Sequence, residues 1–158
     1  MPDVVVRPYR DGDVPVMMNL IREAFAEYRG LLNPPSSAER KTEAVLRAEL
    51  AGAGAFVAEL AGEPVGCVLW HPKDTGIYVD RLSVLPKARG RGIARRLMTA
   101  VEDLAHRRGA SAMSLSVRLM LTIQHDFYRR LGFEFDSYGV HEGYSEPTFL
   151  RLRKPLRT

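Results

Sequence analysis

Hydrophobic and polar residues follow two periods along the chain and divide it into strands and helices. Short β-branched or alternating runs at 4–7, 55–60, 65–70, 77–85, 113–117, 133–138 and 148–152 predict seven strands. Apolar residues at helical spacing predict four helices, beginning near Asp13, Ser36, Gly92 and Thr122. Because strands and helices alternate through the second half, we predict an α/β fold with a mixed central sheet flanked by helices.

The same pattern predicts which faces are buried. In the first helix the inward residues are Val14, Met17, Met18, Ile21 and Phe25. In the second, opened by a capping-box spacing of Ser36 and Glu39, they are Val45, Leu46 and Leu50. In the long helix at 92–108 they are Ile93, Leu97, Val101 and Leu104. The strand at 77–85 is expected to alternate strictly, with Ile77, Val79, Arg81 and Ser83 on one side.

Composition narrows the class of protein. With 158 residues, 46% of them hydrophobic and 27% charged, we expect a single globular domain over 1–158. Cys67 is the one cysteine, which excludes an intramolecular disulfide and fits a reducing compartment. Charged residues interrupt the N-terminal segment, and no apolar run approaches the length of a membrane span. We therefore expect a cytoplasmic protein with no membrane partner.

The positive charge is local. The chain carries a net charge of +4, yet residues 86–108 alone carry +5 and the remainder −1. This concentration indicates an anion site more than a broad nucleic-acid surface. Aromatic residues make up only 8% and do not interleave with the arginines as base-stacking platforms would. We expect no nucleic-acid partner, although a basic helix that binds DNA or RNA is the lesser alternative.

The segment VLPKARGRGIARRLM, residues 84–98, carries the strongest chemical signal. A strand ends before a proline, a glycine-bearing loop follows, and a helix begins. Such a junction aims backbone N–H groups and the positive end of the helix dipole at one point. Arg89, Arg91, Arg95 and Arg96 crowd a helix start at which acids are preferred, so we expect a bound phosphate or pyrophosphate there. The segment fits neither a P-loop nor the dinucleotide fingerprint, whose third glycine is missing.

Two motifs together resemble the GNAT superfamily of N-acetyltransferases. Arg89-x-x-Gly92-x-Ala94 resembles its Arg/Gln-x-x-Gly-x-Gly/Ala signature, and residues 127–133, FYRRLGF, resemble its late helix and Gly-Phe turn. The resemblance implies a sheet that splays beside the signature loop and acetyl-CoA as cosubstrate. It also implies direct transfer of the acetyl group, in a ternary complex, to a primary amine of a small molecule or peptide.

The resemblance also suggests roles for individual residues. It implies cofactor contacts at Leu82, Ser83, Val84, Arg89, Gly90, Arg91, Gly92, Ile93, Ala94 and Gln124. Gln124 is the amide nearest to the position at which the family often has a cofactor-contacting asparagine. Tyr128 occupies the place of a general acid for the leaving thiolate. Asp80, on the central strand near the position at which some members of the family carry an acidic residue, is the candidate general base, and an ion pair with a neighbouring arginine is the alternative role.

The sequence leaves several alternatives open for the function and the ligands of this protein. A module of the same fold that senses acyl-CoA without turnover would carry the same motifs. The four histidines are scattered and, with one cysteine, give no metal-ligand spacing, so we expect no metal. His71 and His141 are further candidates for the acceptor end. The acceptor itself has no recognisable code, and a homodimer, common among members of the family, is left open.

Overall fold

The computed structural model describes residues 3–157, apart from the side chains of residues 39 and 40. Its helices are α1 Val14–Phe25, α2 Glu43–Leu50, α3 Ile93–Arg107 and α4 Thr122–Arg130. Its strands are β1 Val4–Pro8, β2 Gly54–Leu60, β3 Glu63–Lys73, β4 Gly76–Val84, β5 Ala112–Arg118, β6 Glu134–Gly139 and β7 Phe149–Pro155. Within these residues the predicted order of strands and helices is confirmed.

The strands form one mixed sheet in the order β1-β2-β3-β4-β5-β7-β6. All neighbouring strands run antiparallel except β4 and β5, which are parallel. The crossover between these two strands contains α3, as a parallel connection requires. The predicted α/β class with a mixed sheet is confirmed.

Helices α1 and α3 pack on the central strands and bury the predicted faces. Met17 and Ile21 of α1 and Leu97 and Val101 of α3 are fully buried in one continuous core. Val45 of α2 is 47% exposed, so its predicted inward position is wrong. None of the described helices is long and apolar enough to cross a membrane.

The second helix begins later than Ser36. The Ser36 hydroxyl accepts a hydrogen bond from the Ala38 N–H at 3.2 Å, but it caps only a short 3-10 turn. The side chain of Glu39, the predicted partner of Ser36 in a capping box, lies outside the described residues. Helix α2 starts at Glu43, where the Thr42 hydroxyl accepts from the Val45 N–H at 3.2 Å. Two capping side chains lie in this segment, and the second one opens the helix.

Strands β4 and β5 separate almost as soon as they meet. They pair only at Ile77 with Met113 and at Tyr78 with Ser114, so the rest of β4 has no partner on that side. An extra residue in β4 also shifts its register against β3, and Arg81 there has a left-handed φ of 54°. The predicted strict alternation along β4 is therefore wrong at this bulge. The separation of β4 from β5 opens the sheet beside the loop that precedes α3.

Candidate active site

Two cavities lie along the opened part of the sheet. The first, of about 650 Å³, is enclosed by the end of β4, the loop before α3, the end of α1 and one face of α4. The second, of about 430 Å³, occupies the gap between β4 and β5. Phe25, Leu82, Gln124 and Tyr128 line both cavities. The two spaces therefore meet at these four side chains.

The loop beside the first cavity is shaped by Gly90 and Gly92. Their φ angles of 79° and 76° lie in the left-handed region, which favours glycine. A Cβ added to either glycine would meet no heavy atom within 4 Å. The protein itself leaves the space over the loop open, so a ligand can approach the backbone closely.

The N-terminus of α3 faces this loop without a counter-charge. No side chain caps it, and its first turn contains no acid, as the sequence predicts. Arg95 and Arg130 line the same cavity and make no ion pair within residues 3–157. Backbone N–H groups, helix dipole and free guanidinium groups together form a site for an anion.

The Arg89 side chain is held by the protein. Its Nη1 lies 2.7 Å from Glu27 Oε1, and its Nη2 donates to the Ala24 carbonyl at 3.3 Å. These contacts fasten the loop to the end of α1. The Arg89 side chain is 41% exposed, so it can still present its remaining guanidinium N–H groups to a ligand.

Tyr128 lies at the junction of the cavities. Its ring is buried and makes edge contacts with Phe127 and Phe133, which fix the side chain on α4. Its phenolic oxygen makes no hydrogen bond to any described residue. Burial, with the negative charge of Asp80 as a second cause, raises the pKa of Tyr128 above its ordinary value. The hydroxyl therefore stays protonated at neutral pH and is free to donate.

Gln124 and Asp80 line the cavities around Tyr128. The Gln124 amide of α4 donates to the hydroxyl of Tyr28, in the turn that follows α1, at 3.0 Å. Both residues line the first cavity. Asp80 lines the second cavity, and its Oδ1 lies 4.0 Å from Arg81 Nε. This loose pair matches the ion-pair alternative, yet it leaves the carboxylate free to face the cavity.

The predicted site residues are not all in the cavities. Lining the first cavity are Leu82, Val84, Arg89, Gly90, Gly92, Ile93, Ala94 and Gln124. Ser83 is buried, and its hydroxyl donates to the Arg81 carbonyl at 3.0 Å. Arg91 is exposed on the loop outside the lining. His141 lines the second cavity, whereas His71 stacks on Tyr78 with ring centroids 4.9 Å apart.

Sequence reasoning missed Tyr28, Arg81 and Arg118 as residues of the site. Nothing in the local sequence marks Tyr28, which lines the first cavity and accepts a hydrogen bond from Gln124. Arg81 and Arg118 each lie near the C-terminal end of β4 or β5. Parallel strands bring such ends to the same edge of a sheet, and that rule could have joined the two arginines.

Cys67 is not a nucleophile in this site. It is fully buried in β3, and burial raises the pKa of its thiol to about 12. Across residues 3–157, no group of three or more His, Cys, Asp or Glu side chains is placed to hold a metal ion. Tyr128 and Asp80 are the sequence-predicted catalytic candidates that line the cavities.

The opened mixed sheet and the uncapped, arginine-rich loop define an acyltransferase of the GNAT type. The acetyltransferase (GNAT) family matches residues 17–133, and the chain belongs to that family.

The chain is similar to proteins that are named as acetyltransferases. The chain is 32% identical over 149 residues to thialysine N-epsilon-acetyltransferase of Bos taurus, covering 84% of this chain and 85% of the relative. It is 36% identical over 107 residues to IAA acetyltransferase of Azospirillum brasilense, covering 64% and 67%. A PaiA N-acetyltransferase from Thermoplasma acidophilum in complex with coenzyme A has the same fold, with a TM-score of 0.82, 15% identity and coverage of 98% and 99%.

Proposed function

We propose that this enzyme transfers the acetyl group of acetyl-CoA to a primary amine, directly, within a ternary complex. The main support for this proposal is that the two cavities meet at Tyr128. One cavity suits the cosubstrate and the other suits the acceptor. The bovine relative is named for acetylation of an ε-amino group, which supports a primary amine as the acceptor.

The first cavity fits the diphosphate of CoA. The loop from Arg89 to Ala94 would present its backbone N–H groups, and the open space over Gly90 and Gly92 admits phosphate oxygens close to the backbone. Arg95 and Arg130, unpaired within the described chain, add positive charge at the rim. The anion would also offset the cost of placing arginines at the helix N-terminus.

The pantetheine arm would follow β4. Pairing with β5 ends at Tyr78, so the following backbone, including Leu82, Ser83 and Val84, has no strand partner on that side. Of these three carbonyls, only that of Val84 accepts a hydrogen bond from a described side chain, from Arg89 Nε at 3.4 Å. An extended arm can pair with this edge as a short extra strand would. Such pairing places the thioester near the four side chains shared by the two cavities.

Tyr128 would supply the proton that the reaction needs. The amine nitrogen bonds to the thioester carbonyl carbon while the carbon–sulfur bond breaks. The sulfur takes the proton of Tyr128, and Asp80 receives the proton lost by the amine, through water at its exposed edge. Proton exchange with solvent then restores Tyr128 and Asp80, and the products are an N-acetyl amide and free CoA thiol.

Amine-dependent release of CoA thiol tests the proposal. The enzyme is mixed with acetyl-CoA and a panel of primary amines, and the free thiol is followed with a chromogenic disulfide reagent. We expect release that requires both substrates and a stoichiometric N-acetyl product by mass spectrometry. A non-catalytic acyl-CoA sensor would bind CoA and release no thiol with any amine, and that result would contradict the proposal.

A further inference from the structure

Two arginines line the second cavity, in which the acceptor is proposed to bind. Arg81 comes from the bulge of β4, and Arg118 ends β5. The two strands are parallel and part after one short stretch of pairing, so their C-terminal ends flank the same gap. Like charges placed together in a partly buried space repel each other and call for a counter-ion.

Arg81 keeps an unused donor in the protein. Its side chain is 17% exposed, and its Nε is buried with no hydrogen-bond partner among the described residues. One of its Nη groups donates to the Ser37 hydroxyl. The Asp80 carboxylate, with Oδ1 4.0 Å from the Nε, is too distant for a hydrogen bond. A buried guanidinium N–H without a partner is costly, so the protein compensates the charge of Arg81 incompletely.

Arg118 is held in place without being neutralised. Its Nη1 donates to the Pro34 carbonyl at 2.7 Å, and its Nη2 donates to the Pro35 carbonyl at 3.3 Å. No carboxylate within the described residues pairs with it. Burial and, as a second cause, the positive charge of Arg81 lower the pKa of Arg118 from its ordinary value.

The charge of the cavity matches a single carboxylate. Among the lining side chains that the structure describes, Arg81 and Arg118 contribute two positive charges, and Asp80 contributes one negative charge. Burial and the nearby Arg118 lower the pKa of His141, so this side chain is neutral at pH 7 and adds no charge. One positive charge is left over, and an arginine pair can bind a carboxylate through several N–H groups.

We propose that the acceptor is a small amino-carboxylate, such as a free amino acid, whose carboxylate binds Arg81 and Arg118. The proposal rests on the acetyl transfer proposed above. Asp80 and Tyr128 mark the end of the cavity at which the amine reacts, and the arginines mark the anion subsite. The volume of about 430 Å³ is within the range of small-molecule sites. Amines that carry only positive charge, such as alkyl diamines, fit this cavity poorly.

Matched pairs of amines test the inference. Glycine, β-alanine, 6-aminohexanoate and lysine are each compared with their own carboxamide, which keeps the shape and removes the charge. Binding to the CoA-loaded enzyme is measured by calorimetry, and kcat/KM is measured by thiol release. In the best pair we expect the carboxylate to bind more tightly and to react faster, each by about tenfold or more, as for a charge-assisted hydrogen bond.

Arginine variants test whether Arg81 and Arg118 cause the preference for the carboxylate over the carboxamide. Arg118→Gln and, independently, Arg81→Gln should reduce the carboxylate-to-carboxamide ratio toward one. Arg107→Gln removes an exposed charge of α3 outside the second cavity and should leave the ratio unchanged. Two arginine variants are used because Arg118 also holds the Pro34 segment.

The outcomes separate this inference from the proposed reaction. Carboxylate-selective binding that depends on the arginines, without thiol release, would support the anion subsite and contradict acetyl transfer. Thiol release with equal use of carboxylates and carboxamides would support acetyl transfer and overturn the subsite. A preference that survives both arginine variants would also overturn it.

Discussion

A carboxylate placed at Gly92 should block cosubstrate binding while leaving the fold intact. Gly92 precedes α3 with φ of 76°, and an added Cβ meets no heavy atom within 4 Å. Gly92→Asp therefore adds only backbone strain, about 1 kcal/mol, without a steric clash. In a chain of 158 residues this corresponds to a fall in Tm of about 2–4 °C.

The cost to CoA binding should be larger than the cost to stability. The new carboxylate would lie beside the proposed diphosphate, and two unit charges about 4 Å apart repel by about 1 kcal/mol in water and about 4 kcal/mol at an effective dielectric constant of about 20. The Kd for CoA should therefore rise by about fivefold to a thousandfold. Calorimetric titration with CoA measures it, on protein whose folding is verified by circular dichroism.

Gly109→Asp is the matched control. Gly109 follows the other end of α3, has φ of 70°, and also has no heavy atom within 4 Å of an added Cβ. It should lower Tm to a similar degree and leave the Kd for CoA unchanged. If folded Gly92→Asp binds CoA as tightly as the wild type, the loop is not the diphosphate site.

Three further results are expected. CoA at about a hundred times its Kd should stabilise the folded wild type by about 2.7 kcal/mol, which is measured as a higher Tm. An unchanged Tm would contradict binding of CoA to the folded chain. Asp13→Asn should cost about 1–2 kcal/mol in urea unfolding at pH 7, because it removes a two-bond ion pair with Arg7 at 2.8 and 3.0 Å. The Arg7 hydrogen bonds lower the pKa of Asp13 in the folded protein. The difference in unfolding free energy between wild type and variant is therefore complete above the unfolded pKa of about 3.9 and shrinks as the pH falls through the folded pKa. A difference in unfolding free energy that does not depend on pH would refute the role of this ion pair. Cys67, with its pKa raised by burial, should react with a chromogenic disulfide only after denaturation, so labelling of the native enzyme would contradict the packing of β3.

Local patterns predict the elements of this fold because each element buries its own apolar residues. Met17 and Ile21 recur at helical spacing and are buried, as are Leu97 and Val101. The signature loop is equally local, since Gly90, Gly92 and the arginines lie within a few residues of the helix that they precede. Those parts of the first cavity could be placed from sequence alone.

The second cavity depends on long-range contacts that leave no local trace. Arg81 takes a left-handed φ at a position with no glycine or asparagine to announce it, so the bulge is hidden in an apparently regular strand. Arg118 is positioned by carbonyl groups of Pro34 and Pro35, more than eighty residues earlier in the chain. Similarly, the caps at Ser36 and Thr42 are both genuine, and only tertiary packing decides which one opens α2.

The role of Tyr128 is tested most directly by Tyr128→Phe, which keeps the buried ring and removes the hydroxyl. Tyr138→Phe, on a tyrosine that is 57% exposed and lies outside both cavities, is the matched control. General acid catalysis contributes about 10²–10⁴-fold, but a thiol of pKa about 8.5 leaves readily without help. The expected loss is therefore about a hundredfold or less.

The decisive measurement is kcat for thiol release by wild type, Tyr128→Phe and Tyr138→Phe, at saturating acetyl-CoA and amine and with chemistry limiting the rate. We expect only Tyr128→Phe to lower kcat and kcat/KM together, with the affinity for acetyl-CoA unchanged. Full kcat in folded Tyr128→Phe would contradict it and would make Tyr128 a packing residue.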